Sequence, residues 1–169
     1  MTNKFNSKVV GLDVGLLIGK FFMDTEELHY GYWPENKKAT AQNFSEAQNR
    51  HSQLIINNIP NNVKRILDVG SGSGSLAKKL IKLGYEVDCV IPSEFLADKI
   101  KAKLNSSSNI YVNKFEDLDI SKQYDLILFS ESFQYVRLKE SIEKIISVSV
   151  SYTHLRAHET RHDVVCRLL

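Results

Sequence analysis

Cysteine and proline are scarce in this chain, with two and three copies among 169 residues. Cys89 and Cys166 are too far apart in sequence for a metal-ligand spacing, and two thiols make no disulfide framework. A reduced, cytoplasmic setting without a bound metal is the expectation. Charge of one sign is missing too. The 22 basic and 20 acidic residues interleave to a net charge of +2. There is no basic block or arginine stripe, so no nucleic-acid partner is expected. Long apolar runs are also absent. The segment VVGLDVGLLIGKFF (9–22) is broken by Asp13 and Lys20 and is shorter than the roughly 20 residues a bilayer span needs. No small-residue cleavage site follows it. It reads as an N-terminal helix with Leu12, Leu16, Ile18 and Phe22 on a buried face, and no membrane insertion is expected. There is no internal repeat, and a 43% hydrophobic content supports one domain with a real core.

The character of the chain changes at Val150. From there VSYTHLRAHETRHDVVCRLL is rich in His and Arg and lacks the periodicity of what precedes it. It resembles the translation of a transposon-type sequencing adapter, codon by codon through VSYTHLRAHE and again at VCRLL, with Val164 as the one mismatch. The expectation is that 150–169 is adapter-derived and lies outside the fold. Residues 1–149 are then the natural part, cut short, with a helical cap at 1–60 and a cofactor-binding half at 61–149.

Within that part strand and helix signals alternate. VKRILDV (63–69) is a continuous apolar strand of the buried parallel type. Ser75 to Leu83 follows as a helix, with Leu76, Leu80 and Leu83 on one face and Gly84 as its stop. YEVDCVI (85–91) is a second strand. Ser93 caps the next helix, which carries Phe95, Leu96, Ile100 and Leu104. NSSSN is a loop, 110–115 and 124–130 are two further strands, and 137–146 is a helix. Short connections between alternating elements predict an α/β wound sheet. Upstream, Ser45 to Ile59 reads as a helix stopped by Pro60, after the aromatic loop LHYGYWPEN.

The stretch LDVGSGSGSL joins the first strand to its helix. A P-loop is excluded, because Gly74 is followed by Ser75 and Leu76 rather than by Lys-Ser/Thr. A dinucleotide fingerprint fits at Gly70 and Gly72 but meets Ser75 at the third glycine, and Ile91 near the ribose acid. A nicotinamide-dependent oxidoreductase stays open as the weaker fit. The pattern D-x-G-x-G-x-G is met in full by Asp68, Gly70, Gly72 and Gly74, with Ser71 between the first two glycines. On these residues the chain resembles the class I S-adenosylmethionine-dependent methyltransferases.

The resemblance covers roughly 28–146 and implies a Rossmann-like α/β fold of three layers with a mainly parallel sheet, incomplete on its C-terminal side. It implies S-adenosylmethionine as cofactor. Asp68 would serve the cofactor's amino-acid end and Gly70, Ser71, Gly72 and Gly74 would let it approach the backbone. Phe115 and Glu116 would lie at the adenine, and Ser130 and Glu131 would face the cleft after the fourth strand, which Asp125 opens. The ribose position falls on Ile91 where many members carry an acid, with Glu94 or Asp88 as substitutes. HYGYW and EAQNRH are similar to the N-terminal segment of small-molecule methyltransferases, which places Tyr30 and Gln48 at the methionine end.

Methyl transfer from a sulfonium is an in-line displacement that needs alignment above all. A base is needed only where the acceptor must lose a proton. Tyr30, Tyr32, Trp33 and Glu131 are the candidate helpers, with Glu131 as the catalytic one. His29 and His51 read as surface or capping residues, and Cys89 as a small buried hydrophobe. No Asn/Asp-Pro-Pro-Tyr run follows the fourth strand, so a small amine, phenol, carboxylate or lipid-like acceptor is expected. An inactive fragment holding only the cofactor half is the third reading.

Overall fold

The computed structural model describes residues 7–104, 108–150, 155–160 and 163–168. Asn105 to Ser107 of the NSSSN loop and residues 151–154, 161–162 and 169 of the adapter-like stretch lie outside them. The chain divides into two compact units, 1–57 and 58–169.

The first unit has two helices, α1 (Ser7–Met23) and α2 (Ala41–Asn57). Of the four residues expected on the buried face of α1, only Leu16 is buried; Leu12, Ile18 and Phe22 are exposed. The physical reason is that α1 is apolar around its whole circumference, so periodicity singles out no core face. Helix α2 begins earlier than predicted, because Asn43 Oδ1 accepts the Thr40 N–H at 2.9 Å and starts the turn. Between the helices the chain lies against α2. The Tyr32 N–H donates to the Ala47 carbonyl at 2.9 Å. Gly31 has φ +87°, and a Cβ there would stand 2.7 Å from the Ala47 carbonyl carbon and from the Gln48 nitrogen. Only glycine fits that approach.

The second unit is built on β1 (Arg65–Val69), α3 (Ser75–Lys82), β2 (Glu86–Val90), α4 (Glu94–Lys103), β3 (Ile110–Tyr111), β4 (Leu126–Phe129) and α5 (Leu138–Val148). The sheet order is β3-β2-β1-β4 and every pairing is parallel. The order reverses at β1, so right-handed connections put α3 and α4 on one face and leave the other to α5. Leu67, Val69, Ile127 and Phe129 pack with Ile145 and Val148 of α5 in one core cluster. Leu76, Ala77 and Leu80 of α3 and Leu96, Ala97 and Ile100 of α4 are buried. The α/β parallel architecture expected from the alternation of elements is present.

Helix ends follow the sequence signals. Ser93 Oγ accepts the Leu96 N–H at 3.3 Å. After α3, Gly84 at φ +95° and Tyr85 send their N–H groups back to the Ile81 and Leu80 carbonyls, the paired bonds of a Schellman turn. All four strands are shorter than predicted, the third and fourth by the most. The third ends at Tyr111 because Asn113 Oδ1 accepts the Lys114 N–H and Phe115–Asp117 turns into a 3-10 helix. The fourth starts at Leu126 because Asp125 accepts the N–H groups of Lys64 (3.0 Å) and Arg65 (2.8 Å). Asp125 therefore ties the entry of β4 to the entry of β1, the end away from the glycine loop.

Beyond α5, β5 (Leu155–Thr160) and β6 (Asp163–Leu168) form an antiparallel pair. The stretch expected to lie outside the fold thus pairs with itself. Among the described residues no helix is long and apolar enough to cross a membrane.

A polar knot holds the sheet below the core. Asp88 is 2% exposed and accepts from Lys122 Nζ (2.8 Å), Tyr124 Oη (2.7 Å) and the Asn109 N–H (2.8 Å). Burial alone would push its carboxyl up, but the ammonium of Lys122 and these donors outweigh it and hold it below the ordinary carboxylate range. A depressed folded value means that this stability is fully present above about pH 4 and is lost as pH falls through the folded value. Asp88→Asn should lower the urea midpoint at pH 7 by the equivalent of about 1–3 kcal/mol. It should also flatten the loss of stability below pH 4, read from urea melts at a series of pH values.

Candidate functional site

The carboxyl ends of β1, β2 and β4 come together because the strands are in parallel register, with Val69 opposite both Val90 and Phe129. The segments leaving these strands are Gly70–Gly74, Ile91 and Ser130–Ser132. They meet at the point where strand order reverses, the place where open α/β sheets hold ligands.

The loop is set by three left-handed glycines, Gly70 at φ +78°, Gly72 at +55° and Gly74 at +78°. Gly70 donates its N–H to the Val90 carbonyl at 2.8 Å, which binds the loop to the end of β2. Ser71 Oγ donates to the Asp68 carbonyl at 2.6 Å, and the Gly74 N–H closes the turn on the Ser71 carbonyl at 2.8 Å. Gly74 then leads directly into α3. Lys103 Nζ donates to Ser73 Oγ (3.2 Å) and Ser75 Oγ (3.0 Å), holding the loop from α4.

Gly70 is required by a neighbour that sequence reasoning missed. A Cβ on it would overlap the Ser132 Cβ and lie 2.9 Å from its Oγ. The Ser132 hydroxyl in turn donates to the Val69 carbonyl. Nothing in the sequence signals this pairing, since Ser132 is one of several serines in the segment. Beside it, Glu131 sits at φ +57°, a conformation that costs a non-glycine residue of order 1–3 kcal/mol and that collects at functional sites.

Asp68 lies on the sheet face opposite Leu67 and Val69 and is 1% exposed. Its Oδ2 is buried without a hydrogen-bond partner. Burial raises its carboxyl to about 7, against a smaller lowering by the Ser71 hydroxyl. The same burial, with the Asp68 charge across the strand pair, pushes the Cys89 thiol up, so Cys89 is an inert hydrophobe.

Other expected residues have different surroundings. Phe115 is 2% exposed and packs edge-on against Phe129 at 5.3 Å, within the core. Glu116 accepts the Arg137 N–H at 3.0 Å and so serves the start of α5. Ile91 is buried and extends the sheet by donating to the Tyr111 carbonyl. Asp88 belongs to the polar knot, and Glu94 is exposed on the first turn of α4. Ser130 and Glu131 are half-buried at the end of β4.

In the first unit, Tyr30 is 55% exposed and joins Trp33 and Phe44 in an aromatic group with centroids about 6 Å apart. Gln48 is buried. It donates to the Glu27 carbonyl (3.0 Å) and the His29 carbonyl (2.6 Å) and accepts from Thr25 Oγ1. Its amide is committed to holding the loop. His51 is also buried, at 1% exposure, which corrects the expectation of a surface or capping residue.

The family described as "Methyltransferase domain" matches residues 66–158, more than half of the chain. The chain belongs to this family. The match begins in β1, runs through the glycine loop and β4, and ends inside the stretch expected to be adapter-derived. The family decides for the methyltransferase reading over the dinucleotide one and agrees with the expected fold, enzyme class and S-adenosylmethionine cofactor.

The chain is similar to a ribosomal RNA small subunit methyltransferase A of Campylobacter fetus, at 39% identity over 106 residues, 60% of this chain and 38% of that protein. It is also similar to a ubiquinone biosynthesis O-methyltransferase of Nitrobacter winogradskyi, at 35% over 75 residues, 43% of this chain and 29% of that one. A crystal structure from Methanococcus maripaludis, described as an S-adenosyl-L-methionine-dependent methyltransferase, superposes with a TM-score of 0.62 at 18% identity. It covers 90% of this chain and 64% of its own, and at that identity shows the fold alone. The chain thus spans well under half the length of these two curated relatives. The ribosomal RNA relative overturns the expectation of no nucleic-acid partner. That expectation rested on interleaved charges and the absence of a basic block, and net charge alone does not bound what a methyltransferase acts on.

Gly70→Val should destabilise the second unit by several kcal/mol, through the left-handed φ and the overlap with Ser132. Ser132→Gly in the same chain should restore part of that loss in a urea melt. A double variant no more stable than the single one would show that the contact is not the cause.

Proposed function

We propose that this chain supplies the cofactor-binding part of an enzyme that transfers a methyl group from S-adenosylmethionine to a small-molecule acceptor, an amine, phenol, carboxylate or lipid-like compound. In this reading 61–149 hold the cofactor, 1–60 are a helical segment of the same enzyme, and 150–169 are not part of it. The observation that carries the cofactor reading is the buried Asp68 carboxyl, whose Oδ2 has no hydrogen-bond partner, at the foot of a loop with three left-handed glycines. A buried carboxylate favours a cationic ligand, and S-adenosylmethionine carries an ammonium and a sulfonium. A glycine loop admits a ligand close to its backbone.

When bound, the cofactor supplies a methyl group on an activated leaving group. The chain's own residues then have limited tasks. Asp68 meets the ammonium directly or through water, the backbone of Gly70–Gly74 positions the ligand, and Glu131 at the rim receives a proton where the acceptor has one to lose. The acceptor class is supported by the segment after β4, Ser130-Glu131-Ser132, and by the likeness to the ubiquinone biosynthesis enzyme. A second reading, ribosomal RNA as acceptor, is favoured by the 39% identity to the Campylobacter fetus enzyme. Transfer of labelled methyl to a panel of phenols and amines, set beside transfer to small-subunit ribosomal RNA, separates the two.

The raised value of Asp68 gives the cofactor reading its own signature. A carboxyl near 7 in the fold and near 4 in the unfolded chain makes stability fall as pH rises from about 4 to about 7, by at most about 4 kcal/mol. Asp68→Asn should therefore raise the melting temperature at pH 8 by several degrees. The same variant should weaken S-adenosylhomocysteine binding at least tenfold in calorimetry. In the wild type that binding should tighten as pH rises toward 7. Undiminished binding by Asp68→Asn would remove Asp68 from the site.

A further inference from the structure

The loop between α1 and α2 holds a cluster that the methyl-transfer reading does not use. His29 Nε2 is paired with the Glu27 carboxylate. The carboxylate can only accept, so Nε2 carries a proton, and in the neutral imidazole Nδ1 presents its lone pair. That Nδ1 is buried and has no hydrogen-bond partner. The ring of His51, on α2, lies 4.5 Å from the His29 ring between centroids, and each imidazole offers a nitrogen within 4.8 Å of the other's. His51 is 1% exposed, and the His29 and Glu27 side chains are 13% and 11% exposed.

The surroundings fix these groups. Gln48 holds the carbonyls of both Glu27 and His29, and Ser52 Oγ donates to Glu27 Oε2 at 3.3 Å. A carboxylate on one imidazole nitrogen with the other left bare is the arrangement that orients a metal-ligating histidine and raises its basicity. A metal about 2.1 Å from each of two nitrogens needs them roughly 3.4 Å apart, which the 4.8 Å limit accommodates.

We propose that His29 Nδ1 and His51 form a two-imidazole site for a divalent transition metal, zinc or cobalt in character, with Glu27 orienting His29. Imidazole suits these ions over magnesium or calcium, and the Glu27 carboxylate offsets part of the charge. Bound there, the ion joins the 24–40 loop to α2 and leaves its remaining positions to water.

The test uses the full chain with His154, His158 and His162 changed to Ala and Cys166 to Ser, which removes competing ligands in the adapter-like stretch. Cobalt(II) and zinc(II) are titrated in turn, read by the visible cobalt band, by calorimetry and by the ring-proton NMR signals of the two remaining histidines. One equivalent is expected, with both imidazole signals shifted. His29→Gln and His51→Gln should abolish binding, while Glu27→Gln should weaken it by about tenfold to hundredfold. Where a Gln variant does not fold, the wild-type imidazole shifts decide. No uptake, or uptake that leaves either imidazole unshifted or survives both Gln variants, overturns the proposal.

Discussion

The second unit depends on how three parallel strands are fastened at one end. The Gly70 N–H reaches the last carbonyl of β2, and the Ser132 hydroxyl reaches the last carbonyl of β1. These two bonds bring the exits of β1, β2 and β4 to a common edge, and they leave no room for a side chain at position 70. The Asp125 carboxylate does the corresponding task at the opposite end, where it takes the N–H groups of Lys64 and Arg65. With both ends fixed, the apolar middle of the sheet can be packed from either face, and Asp68 is carried into the interior by strand alternation alone.

That buried carboxylate sets the character of the unit. A buried oxygen without a partner, such as Asp68 Oδ2, costs stability, whereas Asp88 is satisfied: three residues contact it through five hydrogen bonds to its carboxylate. Two acids on adjacent parallel strands thus behave in opposite ways. One is held ionised by its donors, and the other is pushed toward its protonated form by burial. The difference comes from what surrounds each of them and not from residue type.

Much of this was legible in the sequence. The apolar runs, the Ser93 cap and the Gly84 stop report local energetics, which a sequence states directly, and so does the left-handed demand of the glycine loop. Less legible were features that depend on distant neighbours. Asp125 read only as the opening of the fourth strand and proved to be a clamp between strand entries. Phe115 and Glu116 were placed at the adenine by resemblance alone, and a sequence does not state that Phe115 packs on Phe129 or that Glu116 accepts from the start of α5. In α1 the apolar residues run all round the helix, so no periodicity could separate Leu16 from Leu12 and Phe22. The acceptor was least legible, since the chain is similar both to a ribosomal RNA small subunit methyltransferase and to a ubiquinone biosynthesis O-methyltransferase.

The position of β4 has a consequence for how the chain reaches this state. Arg65 of β1 meets Glu86 of β2 across a single helix, whereas Asp125 reaches Lys64 over a separation of 61 residues. Closing the longer loop carries an extra entropic cost of about 1 kcal/mol. The β1–β4 edge, which completes the glycine loop through Ser132, is therefore the pairing for which the chain must gather the most of itself. The half of the sheet that looks most like a nucleotide fold can assemble locally, while the surface that gives it a ligand is a long-range product.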